Sequence, residues 1–165
     1  MSRSVEQVIE RLMHFMQSIQ VISLASVDDE GLPYAANLYF ASDHDLTLFF
    51  LSDPHANHVR HVQLQPEVAV TGFTTAKMWQ QVRGVQIRGR CQRLSGNQRD
   101  AAWEIYLAKF PHMQEVEQMA RDCDFYRITP WWIRWSDNSV RFGYKVEMDW
   151  PDGAPREGEP GTSFL

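Results

Sequence analysis

The stretch VISLASVDDEGLPYAANLYFASDHDLTLFFLSD, residues 21–53, decides the fold. It holds three runs rich in β-forming residues: VISLASV (21–27), PYAANLYFAS (33–42) and LTLFFLSD (46–53). The breaks between them, DDEG and SDHD, are short enough for hairpin turns. Parallel neighbours would need a crossover of about a dozen residues. The spacing therefore predicts an antiparallel meander and excludes a doubly wound nucleotide fold.

The chain extends this pattern in both directions. Upstream, Val5, Val8, Ile9, Leu12, Met13, Met16 and Ile19 recur at steps of three and four. They predict one amphipathic helix, with Ser4 and Gln7 as a capping box. Downstream, EVAVTGFTTA (67–76) and RGVQIRGRCQRL (83–94) read as further strands. The second alternates cleanly, Val85, Ile87, Gly89 and Cys91 facing a core and Gln86, Arg88, Arg90 and Gln92 facing away. SGNQRDAAWEIYLAKFP (95–111) predicts a helix capped by Ser95 and Gln98, with Trp103, Tyr106, Leu107 and Phe110 on its apolar face. MQEVEQMARD (113–122) continues it as a short helix. Two last strands lie in DFYRITPWWIRWSDN and SVRFGYKVEM. Pro130 places the first of these at an edge or at a bulge. Roughly seven strands with flanking helices predict a mainly β, antiparallel barrel. Residues 1–149 form this domain. The end, 150–165, is rich in proline and glycine and predicts little regular structure, with Trp150, Phe164 and Leu165 as its docking residues.

Bulk composition narrows the function. In 165 residues the charged fraction is 22% and the net charge −5, which argues against a dedicated nucleic-acid binder. Cys91 and Cys123 are far apart and in no CxxC pattern, so neither a disulfide framework nor a structural zinc site is expected. No apolar run approaches the ~18 residues of a membrane span. The amphipathic start, with Glu6 and Glu10, lacks the apolar centre of a signal peptide. The expected setting is the cytoplasm.

PHANHVRH (54–61) carries three of the six histidines. His55, His58 and His61 are spaced i, i+3, i+6, a poor pattern for three convergent metal ligands, and no metal is expected. A short helix following a strand offers backbone N–H groups to a phosphate. Ser52 and Asp53 stand at the expected N-cap and Pro54 at the first helical position. His58 and Arg60 can add charge-assisted bonds. A solvated connecting helix is the plain alternative. PWWIRW (130–135) offers Trp131, Trp132 and Trp135 either as packing or as a wall against a flat ring. No GxSxG, GxGxxG or P-loop is present, and no residue stands out as catalytic acid or base.

The ordered set (N-terminal helix, meander ending FFLSD, PHANHVRHVQLQP, EVAV, RGVQIRGRCQRL) resembles the FMN-binding split-barrel superfamily of pyridoxamine 5′-phosphate oxidase-like proteins, over roughly residues 4–149. The ending SDNSVRFGYK resembles a small bacterial branch. The resemblance implies a homodimer with FMN in a groove between subunits, acting on a small redox substrate. Carried over by position, Ser52 and His58 become the leading phosphate contacts, with Asn57 and Arg60 as second choices. Ala36, Asn37 and Leu38 would run along the flavin edge and Leu51 would pack near it. Gly84, Val85 and Gln86 would border it, and Trp132 and Arg134 would approach from a later strand. The chain has Ala56-Asn57-His58 where the oxidase resembles Ser-Arg-Lys, and it lacks the oxidase's Arg-rich C-terminal signature. Vitamin B6 oxidation is therefore not expected. A non-catalytic barrel binding haem, a deazaflavin or another ligand is the alternative reading. A structural barrel with a vacant groove and an oligonucleotide-binding barrel stand behind it.

Overall fold

Helix α1 (Val5–Ser18) opens the fold with the expected capping box: Ser4 Oγ accepts from Gln7 N–H, and Gln7 Oε1 accepts from Ser4 N–H, both at 3.3 Å. The computed structural model describes residues 4–158. The helix buries Val8, Leu12, Phe15 and Met16. Phe15 joins the predicted stripe, while Val5 at its end remains exposed.

The strands are β1 (Val21–Val27), β2 (Pro33–Tyr39), β3 (Ala41–Ser42), β4 (Leu48–Ser52), β5 (Glu67–Phe73), β6 (Arg83–Arg93), β7 (Asp124–Asp137), β8 (Lys145–Asp149) and β9 (Arg156–Glu157). Every pairing is antiparallel, as the short turns require. The two turns use the same device. Asp28 Oδ1 accepts from Glu30 and Leu32 N–H, and Asp43 Oδ1 accepts from Asp45 and Thr47 N–H. Each turn then needs a left-handed residue, supplied by Gly31 (φ 81) and by Leu46 (φ 56). For a leucine that conformation costs about 1–2 kcal/mol; burial of its side chain to 1% exposure offsets this.

The meander itself needs correction. The order is β2-β1-β5-β6-β7-β4-β3, so the β1–β2 and β3–β4 hairpins lie at opposite ends of the sheet. Yet β2 and β3 are consecutive, parted only by fully buried Phe40. One bent strand thus supplies both ends of a curled sheet. The barrel closes through the chain at Phe40, while among the described residues β2 keeps β1 as its only paired neighbour. A hydrophobic core of Leu12, Ile22, Leu24, Phe50, Ile87 and Trp135, among others, fills the interior.

Helices α2 (Asn57–Leu64), α3 (Gly96–Lys109) and α4 (Glu117–Ala120) complete the fold. Ser95 is the N-cap of α3, but its side chain makes no capping bond, unlike the predicted Ser95/Gln98 box. Ala102, Tyr106 and Phe110 of α3 pack with Phe49, Leu94 and Phe125 as a second core outside the barrel. β7 carries the bulge that Pro130 predicts: Arg88 pairs Trp132, Gly89 pairs Pro130, and Trp131 is left over. A Cβ on Gly89 would lie 2.8 Å from Thr129 O, which explains the glycine. In the Pro/Gly-rich end, β9 pairs β8, a regular element that composition does not predict. Trp150 docks as expected, its Nε1–H donating to Asp45 O at 2.8 Å. Phe164 and Leu165 lie outside the described residues. Among the described residues, no helix is long and apolar enough to cross a membrane.

Lys109 ties α3 to the barrel corner. Its ammonium lies 3.9 Å from the Phe40 ring centroid and donates to Met16 O at 3.0 Å. Burial lowers its pKa from 10.5 to about 8. Between those values the unfolded chain binds more protons than the folded one, so this group makes stability rise with pH there. Lys109→Met should remove that slope. From pH 8 to 10 the wild type is expected to gain stability relative to the variant in paired denaturant melts. A constant difference would show that Lys109 titrates normally.

Candidate functional site

Strand register places two rows of side chains across the outer face of the sheet. One row runs Ala35, Ala25, Ala69, Arg88, Trp132, Asp149. The next runs Asn37, Ser23, Thr71, Gln86, Arg134, Glu147. Small side chains on β2, β1 and β5 leave a floor, and long ones on β6, β7 and β8 build a wall. The result is an open trough of about 670 Å³ lined by Ala25, Ala35, Ala69, Gln86, Trp132 and Arg134, among others. On β6 the inward partners Val85, Ile87 and Cys91 are buried, as the alternation predicts.

The wall is held by polar contacts. Arg134 Nε donates to Glu147 Oε1 at 2.8 Å, and its Nη1 donates to Gln86 Oε1 at 3.3 Å. Trp132 lies between two guanidinium groups, Arg88 at 5.0 Å and Arg134 at 5.4 Å from its ring centroid. Arg134 is therefore committed to a carboxylate rather than free. A ligand on the floor would meet an indole, an amide and a neutralised arginine.

Helix α2 crosses one end of the barrel. Its N-cap is Ala56, which makes no side-chain capping bond, rather than Ser52 or Asp53 as the sequence predicts. Asp53 Oδ1 instead accepts from His55 N–H at 2.7 Å in the preceding turn. His58 and His61 both turn inward, each 8% exposed. His58 Nε2 lies 2.7 Å from Ser52 Oγ, and His61 Nδ1 lies 3.1 Å from Ser26 Oγ. Burial, and then the neighbouring His61, lowers the pKa of His58 below the ordinary imidazole value. His55 is exposed, whereas His61 is buried. Its ring also meets Tyr34 edge-on at 5.2 Å. Among the described residues, no group of three His, Cys, Asp or Glu side chains is placed to hold a metal ion.

The predicted site residues separate into groups. Gln86, Trp132 and Arg134 line the trough. Asn37 lies at its β2 end and accepts from Ser23 Oγ at 2.7 Å. Ala36 packs against the core, and Leu38 and Val85 belong to it. Gly84 lines a smaller adjoining cavity of about 280 Å³ with Gln86, Thr71 and Phe73. Leu51 packs against the α3 cluster. Ser52 and His58 are buried against each other, while Asn57 and Arg60 are exposed on α2. Ala25, Ala35, Ala69, Ser23, Thr71 and Arg88 escape sequence reading. Apart from Arg88, which the alternation of β6 already turns outward, their signal is a small residue at every second position of β1, β2 and β5, visible only once the strands are in register.

A family model described as pyridoxamine 5′-phosphate oxidase matches residues 8–136. A UPF0306 protein of Klebsiella pneumoniae (strain 342) is 32% identical over 130 residues, covering 78% of this chain and 84% of that protein. A solved structure described as a heme binding protein from Mycobacterium smegmatis superposes with TM-score 0.73 at 16% identity, over 90% of this chain and 59% of that one. A FAD-binding protein from Mesorhizobium loti superposes with TM-score 0.59 at 25% identity, over 77% of this chain and 90% of the other.

Proposed function

This chain belongs to the pyridoxamine 5′-phosphate oxidase family, within its UPF0306 relatives, and from that premise we propose that it binds FMN between two copies of itself and serves as a flavin-dependent oxidoreductase. The observation that carries this reading is the trough. Its floor of Ala25, Ala35, Ala69, Ser23 and Thr71 carries only small side chains, which suits a flat ring, and Trp132 offers a ring wall. Antiparallel pairing with β1 engages the backbone of Ala36 and Leu38, so on the other edge of β2 it is Asn37, between them, whose N–H and C=O are directed toward the polar rim of that ring. Bound flavin supplies electron or hydride transfer; the chain orients it, shields it and sets its polar surroundings. Phosphate contacts belong on α2. Asn57 and Arg60 are presented at the surface, and Ser52 with His58 stands behind them. Two free cysteines suit a reducing cytoplasm.

The FAD-binding relative supports a flavin and the haem-binding one an alternative ligand. Flavin is favoured because, among the described residues, no histidine, cysteine or methionine lines the trough, so haem there would find no such axial ligand on this wall. The protein as isolated is expected to show a flavin spectrum, or to bind added FMN with a Kd of about 1 µM or tighter, as a particle of twice the chain mass. Dimeric protein that leaves FMN free in equilibrium dialysis at neutral pH would remove this reading.

A further inference from the structure

We propose that Arg88, Trp131 and Trp132 form an oxyanion subsite at the β6–β7 end of the trough, for the acidic group of an aromatic ligand lying on the alanine floor. This deepens the functional reading above and rests on the trough being a ligand site.

Neighbouring strand residues normally face opposite sides of a sheet. The β7 bulge breaks that rule. Trp131 has no partner on β6, and both indoles come within reach of the same guanidinium, at 5.9 Å for Trp131 and 5.0 Å for Trp132. Trp131 is itself fixed, its Nε1–H donating to Glu67 Oε2 at 3.0 Å. The other oxygen of Glu67 accepts from Arg90 at 2.9 Å, so this carboxylate is already engaged. Of the two arginines lining the trough, Arg134 is neutralised by Glu147. Arg88 has no carboxylate or hydrogen-bond acceptor among the described residues. It is exposed, stands beside Ala69 in the row that forms the floor, and keeps its N–H fork for a ligand. A planar guanidinium positioned by two rings and left unpaired suits a carboxylate, sulfonate or phosphate.

The oxyanion can be the acid group of a separate aromatic substrate or, where α2 does not hold it, the flavin's own phosphate, and two probe pairs distinguish these. FMN is compared with riboflavin, and anilinonaphthalene sulfonate with its uncharged parent amine, at low ionic strength. Binding is followed by tryptophan quenching and dye emission, in the wild type, Arg88→Gln and Arg88→Lys. The wild type is expected to prefer the acidic member of at least one pair by about tenfold. Arg88→Gln should abolish that preference without weakening the uncharged member, and Arg88→Lys should restore part of it. Loss in the flavin pair assigns the flavin phosphate to this subsite; loss in the dye pair alone assigns a separate acid. If neither flavin binds but the dye preference still depends on Arg88, the flavin reading fails and the subsite stands. A preference unchanged in Arg88→Gln, or absent from both pairs in the wild type, overturns it.

Discussion

Replacing Asp137 by alanine is expected to cost about 3 kcal/mol of folding stability. Asp137 is 0% exposed at the end of β7. Its carboxylate accepts from Arg11 of α1, from Arg83 Nε of β6 at 3.3 Å, and from Ser139 N–H and Oγ–H at 3.0 and 2.6 Å. One buried group thus ties the first helix to two strands. Arg11 and Arg83 are 36% and 44% exposed at their side chains, so they can turn to water when it is lost. That keeps the cost at the low end for a broken buried pair. Asp137→Asn preserves the shape and should cost less. Burial alone would raise the pKa of Asp137, but hydrogen bonds from Ser139 and Arg11, with the charge of Arg11, hold it below the usual carboxylate value. Its stabilisation is therefore complete above the unfolded value, about 3.9, and is lost as pH falls through the lowered folded value. Urea melts should show wild type and Asp137→Asn well separated at pH 7 and converging as the pH falls through the lowered folded value. Equal stability of the two at pH 7 would show that the carboxylate charge contributes nothing.

Ala69→Phe is expected to weaken flavin binding by about 10- to 100-fold, with the thermal midpoint unchanged. Ala69 sits mid-floor, between Ala25 and Arg88, with its side chain toward the open trough. Phenylalanine suits a strand and meets no core atom there, so its bulk acts on the ligand alone. Light scattering on the same variant separates loss of flavin from loss of the dimer. An unchanged flavin affinity would exclude the trough as the binding surface and leave the family assignment untouched.

Local reading of the chain reached far. The Ser4/Gln7 cap, the boundaries 21–27 of β1, the two faces of β6 and the bulge at Pro130 all follow from short-range chemistry. It reached less far at PHANHVRH. The helix exists, but its cap is Ala56, and both His58 and His61 point inward. Ser52, the partner of His58, ends the strand just before the helix, but Ser26, the partner of His61, lies 35 residues away in β1. No local rule links Ser26 to His61 across that distance. For the same reason Leu51 and Gln86 stand side by side in the resemblance-based site, yet face different packing environments.

The sequence by itself determined the antiparallel character of the sheet, because turns this short allow nothing else. It also determined the alternation of core and surface on each strand and the helices that flank them, which depend on periods of two and 3.6 residues. Only the tertiary structure decided which strands are neighbours and in what register. The bend at Phe40 sends β4 to β7 instead of β2, and residues from six strands align into the rows of the trough. Those alignments depend on long-range packing. An alanine at 25, another at 69 and an arginine at 88 become one surface only when the sheet has curled and its register is set.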